Sequence, residues 1–181
     1  LQDFYFEHKM HQVEALNDAL EYIKDIDDEW ANLSGRKYEY VEPYMMEDAE
    51  VALIGMGSMV GTIRHVVDEL RAEGVKAGMV KLRLFRPFPA EHIKKAIGDV
   101  PVLGVMEKCI SFGAPASPLM EEIMTAYYHD KEKPKLANYV VGLGGRDVSP
   151  SMIREAFDAM LKIKETGKVE KFMTYIGVRG E

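Results

Sequence analysis

Residues 51–61, VALIGMGSMVG, constrain the fold more than any other stretch. An apolar run without polar alternation suits a strand covered on both faces, as in a parallel sheet. Glycines at positions 55, 57 and 61 then allow a sharp turn into a helix. Such a turn aims the first backbone N–H groups of the helix outward, where the helix dipole is positive and an anion can be held. Gly57 and Ser58 are the candidate anion-binding residues here, and Ser58 is also a candidate N-cap. The spacing GxGxxxG is one residue longer than the dinucleotide fingerprint, and the same glycines better suit strand–helix packing than a ligand.

The remaining chain repeats this strand–helix rhythm. Residues 11–30 carry a helical stripe of Val13, Leu16, Leu20, Ile23 and Trp30 on a charged background, stopped by Ser34-Gly35. This predicts a helix lying against something larger. Residues 38–46, with Pro43, suit a short edge strand. Val60, Ile63, Val66, Val67 and Leu70 form one face of a helix ending near Gly74. Strands are predicted over 76–85, 100–106 and 135–142, and a short helix over 90–97. Ser117 before Pro118 and Ser149 before Pro150 read as helix starts. Their predicted inward faces are Leu119, Ile123 and Met124, then Ile153, Ala156, Phe157, Met160 and Leu161. The tail from Lys164 onward has no helical period, yet carries Phe172, Met173, Tyr175 and Ile176, which need a surface to cover.

Alternating strands and helices with short connections imply a three-layer α/β/α sandwich with a mainly parallel sheet. Ligands approach such sheets at the carboxyl ends of the strands. The loops there are GMGSMVG, EKCISFGAPA and GLGGRD; in the last, Gly144, Gly145 and Arg146 are a second candidate anion-binding turn. Alternatively, Arg146 and Asp147 pair with each other or support the next helix start.

Composition narrows the functional classes. A formal charge of −7 without a basic face argues against nucleic acid. No apolar run approaches the roughly 20 residues needed to cross a bilayer, and the first residues lack the order of a signal peptide. A cytoplasmic location is expected, without membrane contact. The single cysteine, Cys109, excludes an internal disulfide and a cysteine-ligated iron–sulfur cluster carried by this chain alone. The chain does not start with Met, which reads as a fragment, a processed chain or an incompletely ordered one.

Four motifs in register resemble a known family. GMGSMVG after the first core strand, LRLFRPFP after the second, VMEKCISFGAPA after the third and YVVGLGGRDVSP after the last are similar to the transketolase C-terminal-like domain of the alpha subunit of pyruvate:ferredoxin oxidoreductases. The resemblance implies a mixed five-stranded sheet whose first strand runs antiparallel. The chain is expected to divide into a helical lead-in over 1–35, the domain itself over 36–165, and a tail over 166–181 that contacts another subunit. The implied enzyme joins pyruvate and coenzyme A to give acetyl-CoA and CO2, passing electrons to ferredoxin. It uses thiamine diphosphate, Mg and iron–sulfur clusters. The implied partners are thiamine-binding, gamma and ferredoxin-like chains. Gly98-Asp99-Val100 matches only the start of the cofactor-binding GDG…N segment, so no catalytic residue and no cofactor is carried over to this chain. Its expected work is structural, with coenzyme A contact at the glycine loops. A free-standing NADP- or nucleotide-binding domain is the alternative, with Arg83 or Arg86 facing a 2′-phosphate.

Other reactive residues have plain readings. Glu107 ends a strand and is a base only if desolvated; solvation or pairing is the alternative. His8 and His11 lie one helical turn apart but lack a third metal ligand. Cys109 has only Lys108 beside it. The twelve methionines fill core gaps or subunit contacts.

Overall fold

The computed structural model describes residues 2–180. Leu1 and Glu181, the outer ends of the predicted lead-in and tail, lie outside the described residues. The chain forms two compact units, one comprising the chain up to Tyr40 together with Arg83–Pro89, the other Val41–Leu82 and the chain from Ala90 onward.

In the first unit α1 spans Tyr5–Ser34 and ends at Gly35, whose left-handed φ of 70° lets its N–H reach Ala31. A residue without a Cβ is the usual solution for that conformation. The helix is longer than its stripe predicts and buries none of its residues. Val13 and Trp30 are about half exposed, at 59% and 49%. The Tyr40 hydroxyl donates to the Leu20 carbonyl. The Tyr40 carbonyl accepts from the N–H groups of Arg83 at 2.9 Å and Leu84 at 3.2 Å. Here the expected strand over 76–85 is cut short, because residues 83–89 leave the sheet.

The second unit is a six-stranded sheet. Its elements are β1 (Val41–Tyr44), β2 (Val51–Met56), α2 (Met59–Ala72), β3 (Ala77–Leu82), α3 (Ala90–Ile97), β4 (Val102–Glu107), α4 (Pro118–Ala126), β5 (Lys135–Val140), α5 (Pro150–Thr166) and β6 (Met173–Tyr175). The order is β1-β3-β2-β4-β5-β6. As expected, β1 is antiparallel to its neighbour, and the other pairings are parallel. Pro43 sits in the edge strand β1, where its missing N–H costs little. The expected count of five strands is corrected to six: residues 173–175 of the tail pair with 138–140. The tail's apolar residues thus serve this chain's own sheet in part, and Ile176 is 5% exposed.

Helices α2 and α5 cover one face, and α3 and α4 the other. Val51, Leu53, Val66, Val67, Met106 and Phe157 belong to the core on the α2–α5 side. Gly104 is required by this packing, since a Cβ there would lie 2.6 Å from Leu53 Cδ2 and from Met160 Sδ. The predicted faces of α2 and α5 are buried except Leu161, which is half-buried, while Ile163 joins the core. Met124, predicted inward, is 44% exposed; the inward turn of α4 is completed by Met120 instead.

Candidate functional site

The carboxyl ends of β2, β4 and β5 carry the three loops expected to face a ligand. Gly57 has φ of 75°, and both Gly57 and Ser58 are exposed. Ser58 is not a side-chain cap: it adopts helical angles, and its hydroxyl makes no capping bond to α2. Gly144 and Gly145, with φ of 67° and 81°, form an exposed single-turn 3-10 segment. Lys108 and the glycine turn are brought together, because a Cβ on Gly142 would lie 2.6 Å from Lys108 Cε.

Arg146 is exposed, and its Nη1 donates to the Gly177 carbonyl at 2.5 Å. It therefore ties the glycine turn to the tail, an arrangement that neither pairing with Asp147 nor support of a helix start describes. The adjacent groove encloses about 340 Å³ and brings Arg146 and Arg179 to one lining. Two guanidinium groups beside exposed backbone N–H groups suit an anion.

Below the EKCISFGAPA loop lies a polar network that the sequence reading missed. Glu107, at the end of β4, is 5% exposed, and its Oε2 accepts from the Leu119 N–H in the first turn of α4 at 2.7 Å. Thus Glu107 is both desolvated and paired, with main chain rather than a cation. Burial pushes its carboxyl up from the ordinary value, opposed by hydrogen bonds from the Ser117 side chain and the N–H groups of Leu119 and Met120. Ser117 does not cap α4 through its own hydroxyl. Instead its Oγ accepts from Asn138 Nδ2 at 2.8 Å, while its N–H donates to Asn138 Oδ1 at 2.9 Å. Asn138 Nδ2 also donates to the Val105 carbonyl at 3.2 Å. An asparagine inside the apolar strand LANYVV was the available signal, since a buried amide must find partners. By contrast Ser149 is a true cap, accepting from the Met152 N–H at 3.4 Å.

This network fixes the start of α4 and so anchors the preceding loop. At that loop's surface Phe112 is fully exposed and Cys109 is exposed. His8 and His11 are exposed on α1. Among the described residues no three His, Cys, Asp or Glu side chains gather as metal ligands. Arg83 and Arg86 are engaged by rings, their guanidinium carbons 4.7 Å over Tyr38 and 4.2 Å over Phe85. No helix among the described residues is long and apolar enough to cross a membrane.

Two solved structures share the fold. The 2-oxoglutarate:ferredoxin oxidoreductase from Magnetococcus marinus aligns with a TM-score of 0.53 at 22% identity, over 80% of this chain and 23% of that one. A split-gene transketolase aligns with a TM-score of 0.54 at 15% identity, over 71% and 44%. In sequence, the pyruvate synthase subunit PorA of Thermotoga maritima is 46% identical over 158 residues, 87% of this chain and 40% of that protein. PorA of Pyrococcus furiosus is 36% identical over 98% of this chain and 44% of its own length. The ketoisovalerate oxidoreductase subunit VorA of Pyrococcus abyssi is 36% identical over 92% and 42%. The chain thus spans about two fifths of the length of these relatives. The profile of the pyruvate:ferredoxin oxidoreductase core domain II family matches residues 49–153, and the chain belongs to that family.

Proposed function

We propose that this chain works as the second core domain of the alpha subunit of a 2-oxoacid:ferredoxin oxidoreductase that consumes pyruvate. The observation that carries the reading is the 46% identity with the Thermotoga maritima pyruvate synthase subunit across 87% of the chain. The assembly converts pyruvate, coenzyme A and oxidised ferredoxin to acetyl-CoA, CO2 and reduced ferredoxin. Its thiamine diphosphate, Mg and iron–sulfur clusters belong to other domains and chains. The VorA relative is as similar as one of the PorA relatives, at 36% each. The choice of pyruvate over 2-oxoisovalerate therefore leans on the Thermotoga relative and the loops ISFG and GLGGRD.

The work assigned to this domain is structural. Its lead-in helix exposes Phe6, Met10, Val13 and Trp30, a stripe that suits contact with thiamine-binding, gamma and ferredoxin-like chains. The tail over 166–181 adds a second such contact. At the rim, Gly57, Ser58, Gly144, Gly145 and Arg146 meet the phosphates of coenzyme A through backbone N–H groups and a guanidinium. The assembly is cytoplasmic. The NADP-binding alternative loses support from the ring contacts of Arg83 and Arg86.

Co-expression with the remaining alpha segment and the other chains tests this. The expected result is a complex whose viologen reduction needs pyruvate, coenzyme A and this chain, with a slower rate on 2-oxoisovalerate. Failure to assemble, or NADP binding by the chain alone, overturns the proposal. In the assembled enzyme Arg146→Ala is expected to raise the KM for coenzyme A roughly tenfold; an unchanged KM removes the rim from the reading.

A further inference from the structure

On the α5 side of the β5–β6 edge lies a pocket of about 260 Å³, far from an ordinary surface dimple in its chemistry. Its lining includes Tyr139, a residue only 2% exposed. The Tyr139 ring packs on the α5 side, its Cε2 2.9 Å from where a Cβ on Gly104 would lie, and its hydroxyl makes no hydrogen bond among the described residues. In-register pairing with Thr174 sets a second hydroxyl-bearing residue beside it.

Lys162, Lys168 and Lys171 line the same pocket. A Cβ on Gly167 would lie 3.2 Å from Lys135 Nζ, which brings a fourth ammonium to Gly167, next to the lining residues Thr166 and Lys168. None of the four is ion-paired among the described residues, although the chain holds 30 Asp and Glu against 23 Lys and Arg. Elsewhere the acidic excess is used: Lys76 and Lys164 meet Glu50, and Lys94 meets Glu91 and Asp130. Glu170 is the one carboxylate in the lining. Ala159 and Ile163 contribute apolar surface. A buried tyrosine residue beside lysines that form no ion pair among the described residues, over an apolar wall, is matched by an anion carrying a small apolar body.

We propose that this pocket binds a compact phosphate monoester. The phosphate lies among Lys162, Lys168 and Lys171 and accepts a hydrogen bond from the Tyr139 hydroxyl, while the ester's carbon part rests on Ala159 and Ile163. The pocket's volume is below the usual range for drug-sized ligands, which limits the ester to a single small ring or sugar.

Titration of the 181-residue chain with phenyl phosphate, inorganic phosphate and phenol, followed by NMR at low salt, tests this. Phenyl phosphate is expected to bind saturably with a Kd of about 1 mM, inorganic phosphate more weakly, and phenol without saturation. The double variant K168A/K171A is expected to weaken phenyl phosphate about tenfold, and Tyr139→Phe about fivefold. K131A/K133A, in the turn before β5, leaves binding unchanged. Absence of saturable phenyl phosphate binding, equal binding of phenol, or an equal loss in K131A/K133A overturns the proposal. Should Tyr139→Phe fail to fold, the two lysine pairs decide.

Discussion

The Glu107 carboxylate accepts a 2.7 Å hydrogen bond from the Leu119 main-chain N–H, so the end of strand β4 caps the helix α4 across the ten-residue loop 108–117. Pro118 cannot donate at the first helical position, which leaves Leu119 as the first N–H needing a partner.

Removing that acceptor is expected to destabilise the domain. Glu107→Ala leaves buried N–H groups unpaired and is expected to cost about 2–3 kcal/mol in urea unfolding, while Glu107→Gln, which still accepts, costs less. Equal, small losses for both variants refute the capping role.

The same carboxyl gives a pH dependence of known sign. Because burial raises its folded pKa above the ordinary value of 4.5, the folded state binds this proton more tightly than the unfolded state. Its stabilisation is complete below the unfolded pKa and is lost as pH rises through the folded pKa. The difference in unfolding free energy between the natural chain and Glu107→Gln should therefore shrink as pH rises from about 4.5 toward neutral. A difference that grows over this range contradicts it.

Asp48 and Glu50 act in the opposite direction. Arg71 donates to Asp48 at 2.6 Å and also to the Met45 and Ala77 carbonyls, each at 2.6 Å. The Arg71 hydrogen bond holds the Asp48 carboxyl below its usual range, and the Lys164 hydrogen bond does so for Glu50. Their contribution is present above the unfolded pKa and lost as pH falls through the folded one. Thermal melts of D48N/E50Q should show a flatter decline below about pH 4 than the natural chain. An equally steep decline would point to other carboxylates.

Asn138→Leu is expected to lower stability by about 2–4 kcal/mol, because the Ser117 N–H and hydroxyl and the Val105 carbonyl lose a buried partner at once. A double-mutant cycle with Ser117→Ala should give a coupling of about 1 kcal/mol. Additive losses would mean the two side chains act independently.

Glycines separate packing from propensity. Gly104→Ala is expected to cost about 1–3 kcal/mol, given Leu53, Met160 and Tyr139 within 3 Å of the new Cβ. Gly61→Ala, in α2 with open space around it, is expected to stabilise by about 0.5–1 kcal/mol. Unfolding midpoints of the two variants moving the same way would overturn this account.

Much of this architecture was legible in the chain. The run VALI, each residue fully buried in β2, announced a central parallel strand. Pro43 marked an edge, and Pro150 after Ser149 marked the start of α5. The sixth strand was not legible, since MTY is too short to show alternation and is a strand only because β5 offers it an edge. Nor was the fate of three serines: only Ser149 caps with its hydroxyl, while Ser58 faces solvent and Ser117 turns inward to Asn138.

The sequence by itself determined the succession of strands and helices, because periodicity, turn residues and caps act within a few neighbouring residues, while the resemblance of four motifs in register implied the antiparallel edge and the family. Only the tertiary structure decided that Glu107 loses its water, that Asn138 finds Ser117 twenty-one residues away, and that Arg146 reaches the Gly177 carbonyl thirty-one residues on. Desolvation and long-range pairing depend on which distant segments share a layer, and no local pattern records that.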